Sequence, residues 1–448
     1  MFTIPKDKFL YFDGAMGTMI QAKGGNGEKP NEILNIQQPE LIRQIHREYL
    51  EAGCDILKTN TFGANRFHLA GCGYSVKTVI TAAVENAKSV SSGKAFVAMD
   101  IGPTGKMLEP LGDLPFEEAC EVFGEMAQAG EEAGADLILI ETMNDVYELK
   151  AAVIGAKDKT SLPIVATVTV DQSGRLLTGS DLAGVLSMLY GLGVQAYGLN
   201  CGLSCGQIGE LLPQLRQYGC LPIILNPNAG LPVVQKDGKV TYDLTPEKFA
   251  AQMAELSEQS GQLLGGCCGT TPEYLRRMIE ATKGRKPQNG NRQDTRLASS
   301  YRRTALRGEK PLIIADAGEK ALMDAKNGDL YQYVDMGIEF QSGGADAFYL
   351  GPCDDADLYE TVVKTVQESV TIPLMLDGQN PLSLQKALRV YNGRPLVYRP
   401  AEEALDQVFY YGGIVCDDLS EIHHPEEYPK VETQYVLCRM EPDEFYNL

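Results

Sequence analysis

The sequence predicts an α/β protein, a (β/α)8 TIM barrel followed by a smaller, open or partial α/β domain. Three observations lead there. Short apolar runs alternate with amphipathic stretches eight times over about the first 285 of the 448 residues. The runs are continuous rather than alternating in polarity, as strands covered on both faces are. The turn after the first run, DGAMGT (13–18), lacks the GxGxxG spacing, and no GxxxxGK[ST] loop occurs, which argues against an open doubly wound nucleotide-binding sheet.

The runs, in order, are KFLYFDGAMGT (8–18), DILKTNTFGAN (55–65), AFVAMDIGPTG (95–105), DLILIETM (136–143), PIVATVTV (163–170), AYGLNCG (196–202), PIILNPNAG (222–230) and QLLGGCCGT (262–270). Each ends in glycine, a polar residue or cysteine. Helices are predicted between them at 39–53, 74–91, 115–134, 145–157, 179–192, 204–217, 245–260 and 272–282. The stretch from 115 opens with acidic residues in its first turn, where they favour a helix N-terminus. Residues 284–300, GRKPQNGNRQDTRLASS, are polar and aperiodic, so a linker is placed at 286–305. Apolar runs resume at 311–318, 346–352, 372–378, 395–400 and 412–418. Five strands are too few to close a second barrel, and the tail after 423 reads as too short to complete one. The expected domains are therefore 1–285 and 306–448.

Composition excludes several classes. Lys and Arg number 40 against 60 Asp and Glu, a formal net charge of −20, so a phosphate backbone would be repelled and nucleic-acid binding is not expected. No run of about 18 apolar residues predicts a membrane span. The start, MFTIPKDKFLYFDG, lacks a basic region followed by an apolar core. Eleven cysteines with no dense disulfide spacing suggest a reducing, cytoplasmic setting.

In a barrel of this kind reactive groups sit at the C-terminal ends of the strands. The sequence places there Asp13, Thr59, Asn60, Asp100, Glu141, Asn200, Cys201, Asn226, Asn228, Cys267 and Cys268. Three thiolates can hold a tetrahedral zinc and leave a fourth position open. A strained vicinal disulfide or simple packing are the other readings of Cys201, Cys267 and Cys268. Glycines 265, 266 and 269 would let that turn bring adjacent side chains together. Cys205 falls in the following loop, as a packing residue or an auxiliary ligand. Asp13 and Glu141 suit acid–base chemistry, recognition of a cationic amine, or solvation of loop amides. His46 and His68 read as exposed positions on or near outer helices, and His423 and His424 lie in the tail. None is placed beside a nucleophile, so a Cys–His hydrolase is not expected.

These segments resemble a known family. DGAMGT (13–18), GCDILKTNTFGAN (53–65), NC (200–201), NPNAGLP (226–232) and GGCCGT (265–270) look like the homocysteine S-methyltransferases, over about residues 1–285. The resemblance implies that Cys201, Cys267 and Cys268 are zinc ligands. It implies that Asp13 and Glu141 orient the homocysteine ammonium and that backbone amides of the turn Gly14, Ala15, Met16 and Gly17 receive its carboxylate. Thr59 and Asn200 would also face the substrate. Zinc deprotonates a bound thiol outright, so no general base is needed. The methyl donor would be external, such as a methylated corrinoid protein or a small methyl-onium compound. A non-catalytic zinc- or thiol-binding barrel, serving as sensor or scaffold, is the alternative reading.

The second domain is similar to a pterin-binding domain in IPLMLDGQNPLSLQKALRVYNGRPLV (372–397), where Asp377 matches. Tyr349-Leu350-Gly351 stands where that family has Asp-x-Asn, and Tyr398-Arg399 where it has Asn-Ser. A shortened relative without a folate site is therefore expected. No DxHxxG corrinoid motif occurs.

Overall fold

The architecture is taken from a computed structural model that describes residues 2–25, 30–234, 240–259, 261–287, 297–305, 312–416 and 435–438. The chain separates into two compact units, residues 1–177 with 194–293, and 178–193 with 294–448.

The first unit holds eight parallel strands in a nearly closed barrel. They are Leu10–Tyr11, Ile56–Lys58, Phe96–Ile101, Leu137–Met143, Ile164–Val168, Ala196–Asn200, Ile223–Asn226 and Leu263–Leu264. Each pairs with the next in chain order, Leu263 and Leu264 pair back onto Leu10 and Tyr11, and a parallel bridge between Phe12 and Ile56 joins the first strand to the second. Phe12, Ile56, Ala98, Leu139, Val165, Ala196, Ile224 and Leu263 pack in one buried cluster. This is why the runs read as unbroken apolar sequence.

The helices start where their capping chemistry dictates. The Ser75 side chain accepts from the Thr78 amide at the start of Val76–Ser91, and Asp145 accepts from the Glu148 amide ahead of Val146–Lys159. Ser204 and Gln207 form a full capping box before Cys205–Tyr218. Cys205 thus opens a helix, and is buried there, rather than standing in a loop. Among the described residues no helix is long and apolar enough to cross a membrane.

The second unit is an open parallel sheet in the order Ile414–Cys416, Leu396–Tyr398, Leu374–Asp377, Ala347–Tyr349, Leu312–Asp316 and Tyr435–Cys438. Five strands were expected; the tail adds a sixth, with Tyr435 paired to Leu312 and Cys438 to Ala315. The expected linker also carries structure. Ala298–Ser299 pairs antiparallel with Thr304–Ala305, and Ser299 exchanges backbone hydrogen bonds with Arg394. Residues 288–296 of that linker lie outside the described residues. The helix Leu182–Gly191, between the fifth and sixth barrel strands in sequence, groups with this unit. Its Ser187 hydroxyl donates to the Leu297 carbonyl and accepts from the Arg394 guanidinium.

Candidate functional site

The sixth barrel strand ends at Asn200, and the chain turns at once through Cys201, whose φ of 54° is left-handed. A non-glycine residue there is uncommon and strained, and such strain concentrates at functional sites. The eighth strand ends at Leu264, and GGCCGT follows. Its turn is fixed by hydrogen bonds within it and to the loop after the seventh strand. The Cys268 amide donates to Asn228 Oδ1 at 3.0 Å, the Cys267 amide to the Pro227 carbonyl at 2.8 Å, and the Thr270 hydroxyl to the Cys267 carbonyl at 2.7 Å.

Two of the glycines make room rather than merely bend the chain. A Cβ on Gly269, itself at φ 80°, would lie 2.2 Å from the Tyr242 ring, and one on Gly266 would lie 2.5 Å from Thr270 Oγ1. Neither position accepts a side chain without displacing its neighbour.

The result is a cluster of three thiols. The sulfurs of Cys201, Cys267 and Cys268 all lie within 4.8 Å of one another, and no other group of three possible ligands converges in this way among the described residues, Cys205 included. The Cys201 and Cys268 sulfurs are 3.7 Å apart. A disulfide needs about 2.05 Å. The edge of a tetrahedron with zinc–sulfur bonds of about 2.3 Å is about 3.8 Å, so the spacing fits the donor set of a zinc site. The ten cysteines whose side chains are described are all free. Hydrogen bonds from Cys201 and Cys267 hold the Cys268 thiol far below its usual range, and contacts with Cys201 and Cys268 push Cys267 up.

The first four strands bring charged groups to the same rim. Asp13 follows the first, Lys58 ends the second, and Asp100 and Glu141 lie near the ends of the third and fourth. All four are buried. Asp13 Oδ2 accepts from the Lys58 amide at 3.0 Å. The Lys58 ammonium lies 3.5 Å from Glu141 Oε2 and 4.0 Å from Asp13 Oδ1. Burial pushes Asp13 up to about 7 even though Lys58 pulls it down. Asp100 is raised well above the carboxylate range by burial and by the Glu141 charge. Burial would lower Lys58, but the charges of Glu141 and Asp13 outweigh it and raise it.

Asn200 ties the two clusters together. Its Oδ1 accepts from the Thr142 amide at 3.0 Å, its Nδ2 donates to Thr142 Oγ1 at 2.7 Å, and the same Nδ2 reaches 3.9 Å from the Cys267 sulfur. Thr142, next to Glu141, sits at φ 63°. The Thr59 hydroxyl is engaged inside the protein, 2.6 Å from Thr61 Oγ1 and accepting from the Asp100 amide at 3.1 Å. Of the turn after the first strand, the Ala15 amide already donates to the Thr270 carbonyl, while Met16 and Gly17 begin a helix, Met16–Ala22, that has no side-chain cap. Gly14 is buried under Thr270 and Tyr49.

Two expectations need correction. Lys58 stands in the middle of the charged cluster, and sequence reading passed over it for Thr59 and Asn60. His46 is fully buried on the helix Pro39–Ala52 rather than exposed. His68 is exposed, 3.8 Å from Glu32, and His423 and His424 lie outside the described residues.

Comparison with known proteins agrees with this geometry. Residues 10–282 match the homocysteine S-methyltransferase family. The methionine synthase of Mycobacterium tuberculosis is 31% identical over 418 residues, 85% of this chain, and that of Mycobacterium leprae 32% identical over 424 residues, 86% of this chain. The chain spans only about a third of those proteins, 34% and 35% of their lengths. Coverage of 85% exceeds the span 10–282, so this likeness reaches into the second unit. Among solved structures, the apo form of the homocysteine methyltransferase MmuM from Escherichia coli superposes with a TM-score of 0.50 at 26% identity, covering 62% of this chain and 97% of that one. Its metallated form gives 0.51 at 25% identity, covering 61% and 96%.

Proposed function

The chain belongs to the homocysteine S-methyltransferase family, and from that premise we propose that it transfers a methyl group from an external donor to the thiol of homocysteine, forming methionine. The observation that carries the proposal is the convergence of three sulfurs beside a buried carboxylate cluster at one end of the barrel.

Cys201, Cys267 and Cys268 would hold zinc, a reading supported by the 3.7 Å sulfur spacing and by the existence of a metallated form of the E. coli relative. Bound there, the ion would supply Lewis acidity that keeps the substrate sulfur deprotonated at neutral pH. The remaining work falls to the chain. Asp13 and Glu141 would bind and orient the substrate ammonium, and the Met16 and Gly17 amides would take its carboxylate. Asn200 would hold Glu141 in register through Thr142. The barrel wall around them keeps the carboxylates away from bulk water, which strengthens each of these contacts.

A methyl-corrinoid protein is the proposed class of donor, the first of the external donors that the family resemblance implies. The second unit would be a relative of pterin-binding domains whose folate site is lost, and the setting would be cytoplasmic. Incubation with homocysteine and a panel of methylcobalamin-loaded protein, betaine and S-methylmethionine tests the proposal by methionine formation. Turnover with none of them, alongside tight homocysteine binding, would instead favour a sensor or scaffold.

A further inference from the structure

Lys58 is the cation that lies between Asp13 and Glu141. It reaches them from the second strand, with its side chain only 7% exposed, yet its ammonium stays 3.5 and 4.0 Å away, at or beyond the limit of a hydrogen bond. Asp13 Oδ1 has no hydrogen-bond partner, and neither does Asp100 Oδ1 on the strand between Lys58 and Glu141. Two carboxylates therefore flank one ammonium, a third carboxyl stands on the strand between Lys58 and Glu141, and two buried acceptor atoms go unused. The charges acting on Lys58 are, in falling order, Glu141, Asp13, Cys267 and Asp100. A buried acceptor without a partner costs stability, so such atoms in a native fold ask for an occupant.

We propose that Lys58 is a specificity-determining residue, an internal placeholder for the substrate ammonium. In the empty site it counter-charges Asp13 and Glu141. When an amino-acid thiol enters, its ammonium takes the Asp13–Glu141 position and Lys58 shifts onto the free oxygen of Asp100. The cluster thus carries one acid more than substrate binding alone requires, because it must hold two cations at once. The arrangement selects against thiols without an amino group, which cannot displace the lysine. This rests on the proposed role of Asp13 and Glu141 in binding homocysteine.

The test is calorimetric titration of the zinc-supplemented full chain with L-homocysteine and with 4-mercaptobutanoate, the same thiol acid without the amino group. Wild type should prefer homocysteine. Lys58→Gln removes the competitor and should tighten homocysteine by about 10-fold, the size of one charge-assisted contact, and leave 4-mercaptobutanoate unmoved. Asp100→Asn, nearly isosteric and so safe should Lys58→Gln fail to fold, removes the carboxyl that would ionise to receive the lysine and should weaken homocysteine alone by a similar factor. Weaker homocysteine binding in Lys58→Gln, or a parallel shift of both ligands in either variant, overturns the role of Lys58 while leaving the family reading intact. Wild type that binds neither ligand overturns that reading and this inference with it.

Discussion

The side chain of Asn200 clamps Thr142 from both ends of its amide, although 58 residues separate them. The contact holds Thr142 in a left-handed conformation at the point where the fourth strand presents Glu141. The proposed ammonium anchor on the fourth strand and the thiols after the sixth and eighth are thereby tied together.

Asn200→Ala should therefore act at a distance. It leaves the half-buried Thr142 amide and hydroxyl without these partners, at a cost of up to about 1–3 kcal/mol each, and it frees Thr142 to leave its left-handed conformation. Glu141 moves with Thr142, so the homocysteine KM should rise. Direct removal of the charge in Glu141→Gln should raise that KM by about 10–100-fold, since a charge-assisted bond is worth about 1.5–3 kcal/mol. Zinc content should stay the same in Glu141→Gln. Steady-state kinetics beside metal analysis checks both, and an unchanged KM in Glu141→Gln would mean that Glu141 faces something other than the substrate.

Metal binding gives the second prediction. Purified protein should hold about one zinc per chain, and Cys267→Ala should lose it, because two thiolates hold a catalytic zinc poorly. Atomic absorption after dialysis is the readout. Full occupancy in the Cys201→Ala, Cys267→Ala, Cys268→Ala triple variant would place the metal elsewhere.

His46 predicts an acid-sensitive stability. It is fully buried, neither ring nitrogen has a hydrogen-bond partner, and burial lowers it to about 4. The unfolded chain binds a proton at about 6.5, so the folded state is disfavoured once the pH falls below that value. The contribution is complete above about 6.5 and is lost progressively down to about 4. Between pH 7 and pH 5 the loss is about 2 kcal/mol at about 1.4 kcal/mol per unit. Urea denaturation of wild type and His46→Leu at the two pH values should show that difference, with the leucine variant less sensitive to acid. Equal sensitivity would mean that His46 is protonated in the folded protein.

What the sequence made legible follows from how locally each feature is encoded. The barrel was readable because strands covered on both faces need unbroken apolar runs, and the thiol cluster because GGCCGT packs two donors into one turn. His46 could have been found, since it continues the stripe Ile42, Ile45, His46 and Tyr49 at helical spacing, all of which are buried. Lys58 was not readable. A lysine at the end of an apolar run looks like the strand emerging into water, and its partners Asp13, Asp100 and Glu141 come from three other strands. The sixth strand of the second sheet was hidden for a similar reason: Tyr435–Cys438 is four residues long and pairs with Leu312–Asp316, more than a hundred residues earlier.

The last prediction concerns the second unit. Asp377 is the residue that matches the pterin-binding pattern, and it is already occupied. Its Oδ2 accepts from the Tyr349 hydroxyl at 2.6 Å, and its amide donates to the Tyr359 hydroxyl at 2.7 Å. The Tyr398 ring packs edge-on against Tyr349, with centroids 5.3 Å apart. In the proposed kinship with pterin binders, Tyr349 and Tyr398 stand where small polar groups would, and the chain's own side chains would fill the pocket. A pterin would have to break the Tyr349–Asp377 bond and displace two rings. Losing two polar anchors alone weakens binding by about 2–6 kcal/mol, roughly 30- to 20,000-fold. Calorimetric titration of the full chain with methyltetrahydrofolate should therefore show no binding, and a micromolar Kd would show that the rings move aside. Tyr349→Phe, which leaves the buried Asp377 carboxylate short of a donor, should destabilise the unit by about 1–3 kcal/mol without creating folate affinity.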